Sequence, residues 1–99
     1  MKLVLIAALM FAAGIAMAND LVARSGSDYV RISSTPCSIA EVLALLPADT
    51  RDQFKDAVAQ IGGRSFIGCW TLSPDGRVYL LYSDGDMGIM RLGLFRPGA

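Results

Sequence analysis

Two features of this sequence have residue types that could carry chemistry: the cysteines Cys37 and Cys69, and the run Asp84-Gly85-Asp86. A cysteine pair can act as a nucleophile, hold a metal or close a disulfide. Nucleophilic use needs a base, and the chain contains no His, which rules out Ser–His and Cys–His arrangements. The same absence leaves a zinc site without ligands to complete it. A Ser–Lys variant would have to use Lys55, which helical periodicity places on a wet face. Glycosidase-type chemistry needs two carboxylates in one cleft, and the sole Glu, Glu41, has the spacing of a helix cap. The expectation is therefore a protein that is not an enzyme and needs no cofactor, with a small hydrolase ranked third among the readings. The cysteines are expected to bridge, the alternative being free or intermolecular thiols. A Cys37–Cys69 bond closes a loop of about 33 residues, worth about 3–4 kcal/mol in the chain-entropy model. That is a large share of the ~5–10 kcal/mol that holds a small domain.

Alternate carboxylates in a glycine-containing loop can ligate calcium, which makes Asp84 and Asp86 weak candidates for a Ca²⁺ site. The remaining ligands of a helix–loop–helix calcium site are missing, and Asp-Gly is also ordinary hairpin-turn chemistry. Arg64, Arg77, Arg91 and Arg96 follow the same region. They read as solvated edge residues that discourage strand-on-strand association, or as guanidinium forks for an anionic glycan or an acidic cleft. Trp70, Tyr79 and Tyr82 supply the aromatic surface nearby. Trp70, Tyr79, Tyr82, Asp84, Asp86, Arg77 and Arg91 together form the candidate partner-binding set.

The N-terminus carries an address. Lys2 is a positive n-region, Leu3 to Ile15 an uncharged apolar run, and Ala16-Met17-Ala18 a small-x-small cleavage pattern. Residues 1–18 are expected to be a signal peptide cut after Ala18, too short for the ~20 apolar residues of a membrane span. Residues 19–99 then form one small domain without a membrane span. Lys2 leaves with the signal, so eight basic and nine acidic residues remain and the net charge becomes −1. A near-neutral chain excludes the clustered Lys and Arg that nucleic acid demands. It also excludes a polybasic membrane-surface binder. Export to the periplasm or the medium, from a bacterial or phage gene, is the expected setting. The partner expected there is an envelope or extracellular protein or glycan.

The elements that must position these groups follow from pattern. Leu21 to Arg24 and Tyr29 to Ile32 are β-prone runs around Ser25-Gly26-Ser27-Asp28, suggesting a hairpin or a single strand at Tyr29 to Ser33. Ser38 with Glu41 has capping-box spacing, and Ile39, Val42, Leu43 and Leu46 follow a helical stripe that Pro47 ends. Asp49 or Thr50 begins a second stripe, Phe54, Ala57, Val58 and Ile61, which Gly62-Gly63 stops. Arg64 to Arg96 then reads as a three-stranded meander. Pro74-Asp75-Gly76 as a three-residue loop pairs Leu72 with Val78, Trp70 with Leu80 and Gly68 with Tyr82.

Phe66, Trp70, Leu72, Val78, Leu80 and Tyr82 then share one face, while Ile67, Cys69, Thr71, Tyr79, Leu81 and Ser83 share the other. The expected fold is α+β: a short αα-hairpin packed on a three-stranded antiparallel meander, extended by an N-terminal strand or hairpin and stapled by one disulfide. The expected function is a small exported non-enzymatic binding or inhibitory module. The alternative is a structural or assembly protein that oligomerises through a strand edge or the Trp70 face.

Overall fold

The computed structural model describes residues 20–98, so the expected signal peptide lies outside the described residues. Strand accounts for 54% of the structure, arranged as a single curled antiparallel sheet. In chain order the elements are β1 (Leu21–Ser25), β2 (Asp28–Pro36), a single α-turn α1 (Ala40–Leu43), a 3-10 segment (Ala48–Gln53), β3 (Lys55–Ile61), β4 (Arg64–Leu72), β5 (Arg77–Tyr82), β6 (Met87–Arg91), a 3-10 turn (Leu92–Leu94) and β7 (Arg96–Pro97). The spatial order is β6-β5-β4-β3-β2-β1-β7. The α+β expectation is thus overturned: the fold is a seven-stranded half-barrel, and the αα-hairpin does not exist.

The second predicted helix is where the misreading lies. Lys55–Ile61 is the central strand, paired with β2 on one side and β4 on the other. Its inward residues, Ala57 and Ala59, are buried, while Val58 is exposed. A strand whose inner face is alanine shows little hydrophobic alternation, so its pattern fits a helix equally well. Gly62 and Gly63 do not cap a helix. Both have positive φ, 60° and 78°, the requirement of a two-residue type I′ turn, and they join Ile61 to its partner Arg64. Tertiary pairing on both edges overrides the helical propensity of Ala, Gln and Lys.

The first predicted helix shrinks to one turn. Ile39 occupies the cap position and no side chain bonds there. The Ser38 hydroxyl instead donates to the Asp56 carboxylate at 3.1 Å, and its backbone N–H donates to the same oxygen at 2.8 Å. A helix this short gains too few internal bonds to stand alone. It is held by its anchors: the Cys37–Cys69 disulfide with Cα atoms 5.6 Å apart, Cys37 N–H to Phe54 O at 2.9 Å, and the fully buried Val42. Residues 37–54 therefore form a strapped-down excursion over the face that carries the buried Cys69.

The β4–β5 hairpin has the expected register. Gly68 pairs with Tyr82, Cys69 with Leu81, Trp70 with Leu80, Thr71 with Tyr79 and Leu72 with Val78. Ser73 N–H donates to Arg77 O at 2.9 Å and Gly76 N–H to Ser73 O at 3.0 Å, closing the three-residue loop. The N-terminal hairpin is also present, as β1 paired with β2.

Curling follows from chain length. Laid flat, six strand spacings of ~4.8 Å would hold β6 and β7 about 29 Å apart. The chain from Arg91 to Arg96 has five steps and reaches at most about 18 Å. The sheet must therefore bend to bring its two edges together. Small residues on the inner surface permit the bend: Ala23, Ala57 and Ala59 are buried there, and Ala57 pairs with Gly68. A Cβ at Gly68 would lie 2.8 Å from Tyr82 Cα, inside the contact limit. Val30, Ile32, Val78, Leu80 and Phe95 fill the hollow, with Leu21, Phe66, Trp70, Tyr82, Met90 and Leu92 packed around them. The Trp70 face is thus the core face, and the Cys69 face meets the strapped excursion.

Candidate functional site

β3 and β4 bring together a cation and an aromatic ring at one end of the inner surface. The two-residue turn at Gly62-Gly63 sets the register that places Lys55 opposite Trp70, on the same side of the sheet. Trp70 is half-buried. Its indole Nε1 donates to Ser33 O at 2.8 Å, which fixes the ring plane. The Lys55 ammonium lies 5.9 Å from the ring centroid, within cation–π range. Two shallow hollows share these side chains as walls. One, of about 200 Å³, adds Leu21, Ile32, Ser33 and Ser34. The other, of about 410 Å³, adds Gln53, Thr71 and Leu72, and Leu72 is 47% exposed. The arrangement is a rigid, partly open ring edged by an ammonium, an amide and hydroxyls. It can stack a flat apolar surface while bonding to polar or anionic groups around it.

The opposite end of the inner surface is more apolar. Phe66 and Tyr82 meet edge to face, with centroids 6.2 Å apart. Burial, and then the nearby Asp84 carboxylate, push the Tyr82 phenol above its usual value. A hollow of about 390 Å³ lies between Met90 and Leu94 on one side and Ala23, Ser25 and Val30 on the other. It follows the gap where the sheet does not close on itself.

The candidate binding residues divide between the two faces. Trp70 and Tyr82 point inward, 12 positions apart in sequence and at different ends of the core. Tyr79 points outward between Thr71 and Ile89. Arg77 and Arg91 stand opposite one another on the outer face, and Arg77 pairs with Asp75 at 3.3 Å. The Ser73 hydroxyl, and behind it Arg77, hold the Asp75 carboxyl below the ordinary range. Asp84 Oδ1 accepts the Asp86 N–H at 2.9 Å, so its carboxylate shapes the turn. Among the described residues no third acidic or sulfur ligand converges on Asp84 and Asp86. The grouping that does form, Cys37, Asp56 and Cys69, has both sulfurs spent in the disulfide.

Lys55 is the site residue missing from the sequence reading, because a helical Lys55 faces solvent. The signal that finds it is the Gly-Gly turn: pairing Ile61 with Arg64 and counting outward puts Lys55 against Trp70. Among the described residues, no helix is long and apolar enough to cross a membrane. No protein-family model, curated protein or solved structure matches the chain.

Proposed function

We propose that this protein is an exported, non-enzymatic binding module whose ligand is an anionic glycan of the cell envelope, held at the Trp70–Lys55 ledge. The observation that carries the reading is the Trp70 indole, locked by its bond to Ser33 O, left partly open and flanked by Lys55. A pyranose ring presents a flat C–H face that stacks on an immobile indole with little loss of side-chain freedom. An acidic substituent on the sugar meets the ammonium, and ring hydroxyls meet Gln53. Export is supported by the cleavage pattern at Ala16-Met17-Ala18 and by a cysteine pair joined as a disulfide, the form that persists in oxidising compartments. The absence of enzymatic activity is supported by a chain with no His and no free thiol among its described cysteines.

The test is binding of the oxidised protein to an array of envelope glycans, followed by Trp70 fluorescence. Lys55→Gln and Leu72→Ala are expected to weaken binding by about tenfold each while leaving the melting temperature within a few degrees of the parent. Removal of the acidic group from the sugar should remove the Lys55 dependence. A protein that binds no glycan, or binds as well after both substitutions, sinks the reading.

A further inference from the structure

The two edges of the sheet are finished differently. β7 is two residues long and contains Pro97, so it offers almost nothing to pair with. β6 runs for five residues, contains no Pro or Lys, and exposes Met87 by 72% and Ile89 by 56%. Tyr82 N–H donates to Asp86 O at 2.8 Å and Leu92 N–H to Gly76 O at 3.4 Å. The even-numbered residues of this stretch therefore turn toward β5, and alternation directs the N–H and C=O groups of Met87, Ile89 and Arg91 away from the sheet. Three residues' worth of pairing groups thus lie along an edge on which Met87 and Ile89 are apolar and Arg91 is the one charge.

Charge is distributed along that edge in a self-complementary way. Asp84 and Asp86 sit at its entry, and Arg91 at its exit faces Arg77 across the ladder, a like-charge pair that repels. Asp75 neutralises Arg77. Among the described residues, no carboxylate lies within ion-pair distance of Arg91, and no base lies within that distance of Asp84 or Asp86.

We propose that β6 pairs antiparallel with β6 of a second copy of this chain about a two-fold axis at Gly88, placing Arg91 of each copy beside the Asp84–Asp86 turn of the other. Antiparallel reversal is what brings the acidic end of one edge to the basic end of its mate. Centring on Gly88 sets Met87 opposite the second copy's Ile89 and Arg91 opposite the second copy's Gly85. The Met87 and Ile89 amides then meet one another in register, and the Arg91 N–H meets the second copy's Gly85 carbonyl, the Gly85 N–H being bonded to Tyr82 O within its own turn at 2.9 Å. The contact is isologous and closes at two copies, because each β6 has one free edge. It joins the two half-barrels into one continuous sheet, and each Arg91 gains the counter-charge it lacks within its own chain.

The experiment is sedimentation of the oxidised protein from micromolar to near-millimolar concentration, with amide exchange on the same samples. Dimer is expected, weakening as salt rises. The Met87, Ile89 and Arg91 amides should gain protection with concentration, while Gly88 and Met90 stay protected throughout. Ile89→Pro removes an outward donor without taking a bond from the β5–β6 ladder, and should leave a folded monomer. Arg91→Glu should weaken dimerisation by about tenfold or more, and Arg91→Lys should leave it within about threefold. If Ile89→Pro fails to fold, the two Arg91 variants decide. A protein that is monomeric at the highest concentration, or whose dimer is indifferent to Arg91→Glu, overturns the proposal. Lys55 and Trp70 lie on β3 and β4, so loss of glycan binding leaves this outcome unchanged.

Discussion

At the scale of single residues, Trp70 serves the fold and the ledge at once. Its ring packs against the core cluster, and its N–H satisfies Ser33 O, a carbonyl on a strand that bulges between Ile32 and Pro36. Trp70→Phe keeps an aromatic ring but strands that carbonyl. The expected loss is about 1–3 kcal/mol, read as a lower midpoint in urea with the slope unchanged. Tyr82 provides a second reporter. Its folded-state phenol titrates above the ordinary tyrosine value of 10.0, through burial first and the Asp84 charge second. The fold therefore favours the neutral phenol, and the unfolded chain releases its proton first as pH rises. Tyr82 has no effect on stability well below pH 10, and stability falls as pH climbs from 10 toward the folded value. Phenolate absorbance should show a late-titrating component that disappears in Tyr82→Phe. Asp84→Asn should bring that titration partly back toward 10, because only the charge contribution is removed.

At the scale of elements, the turns decide the architecture. Gly62-Gly63 needs positive φ at both positions, so replacing the pair by Ala-Ala should cost about 2–3 kcal/mol, whereas Asn-Gly should be tolerated. A helix stop would have shown little difference between those replacements at its first position, so the comparison also tests the strand assignment. Gly68→Ala should cost at least as much, since the added methyl meets the Tyr82 backbone rather than a side chain that could swing away. These same positions explain what could be read from sequence. The β4–β5 register was legible because Pro74-Asp75-Gly76 fixes a loop length and the flanking residues alternate cleanly. The disulfide was legible because a small chain offers one pairing of two cysteines. β3 was not legible, because Ala57 and Ala59 carry no alternation signal and Phe54, Ala57, Val58 and Ile61 match a helical stripe by coincidence. With β3 misassigned, the Lys55–Trp70 pairing could not be seen. Ser38 and Glu41 matched a capping box, yet Asp56, distant in sequence, captured the serine hydroxyl. A local motif cannot anticipate a competitor that only the folded sheet supplies.

At the scale of the whole molecule, closure depends on one short crossing. The chain leaves β6 at one edge of the sheet and reaches β7 beside β1 at the other, and the crossing carries Phe95 into the hollow between them. Phe95 N–H donates to Leu92 O at 3.0 Å, which tightens the crossing into a 3-10 turn and aims the ring inward. β7 adds only two pairs to β1, so little besides the ring holds the edges together. Phe95→Ala removes a 5% exposed aromatic from a space walled by strands on three sides, and the curled sheet can only partly collapse into it. The expected cost is about 3–5 kcal/mol, a large part of the total for a domain of this size. The loss should also be uneven. The disulfide still pins residues 37–54 to β4, and the β3–β4 and β4–β5 hairpins keep their turns, whereas β1 and β7 lose the group that ties them to β6. Amide exchange in the variant should therefore rise first in Leu21–Ser25 and last at Gly68–Leu72. Uniform loss of protection across all seven strands would instead mean that the half-barrel folds as one cooperative unit and that Phe95 is not a localised clasp.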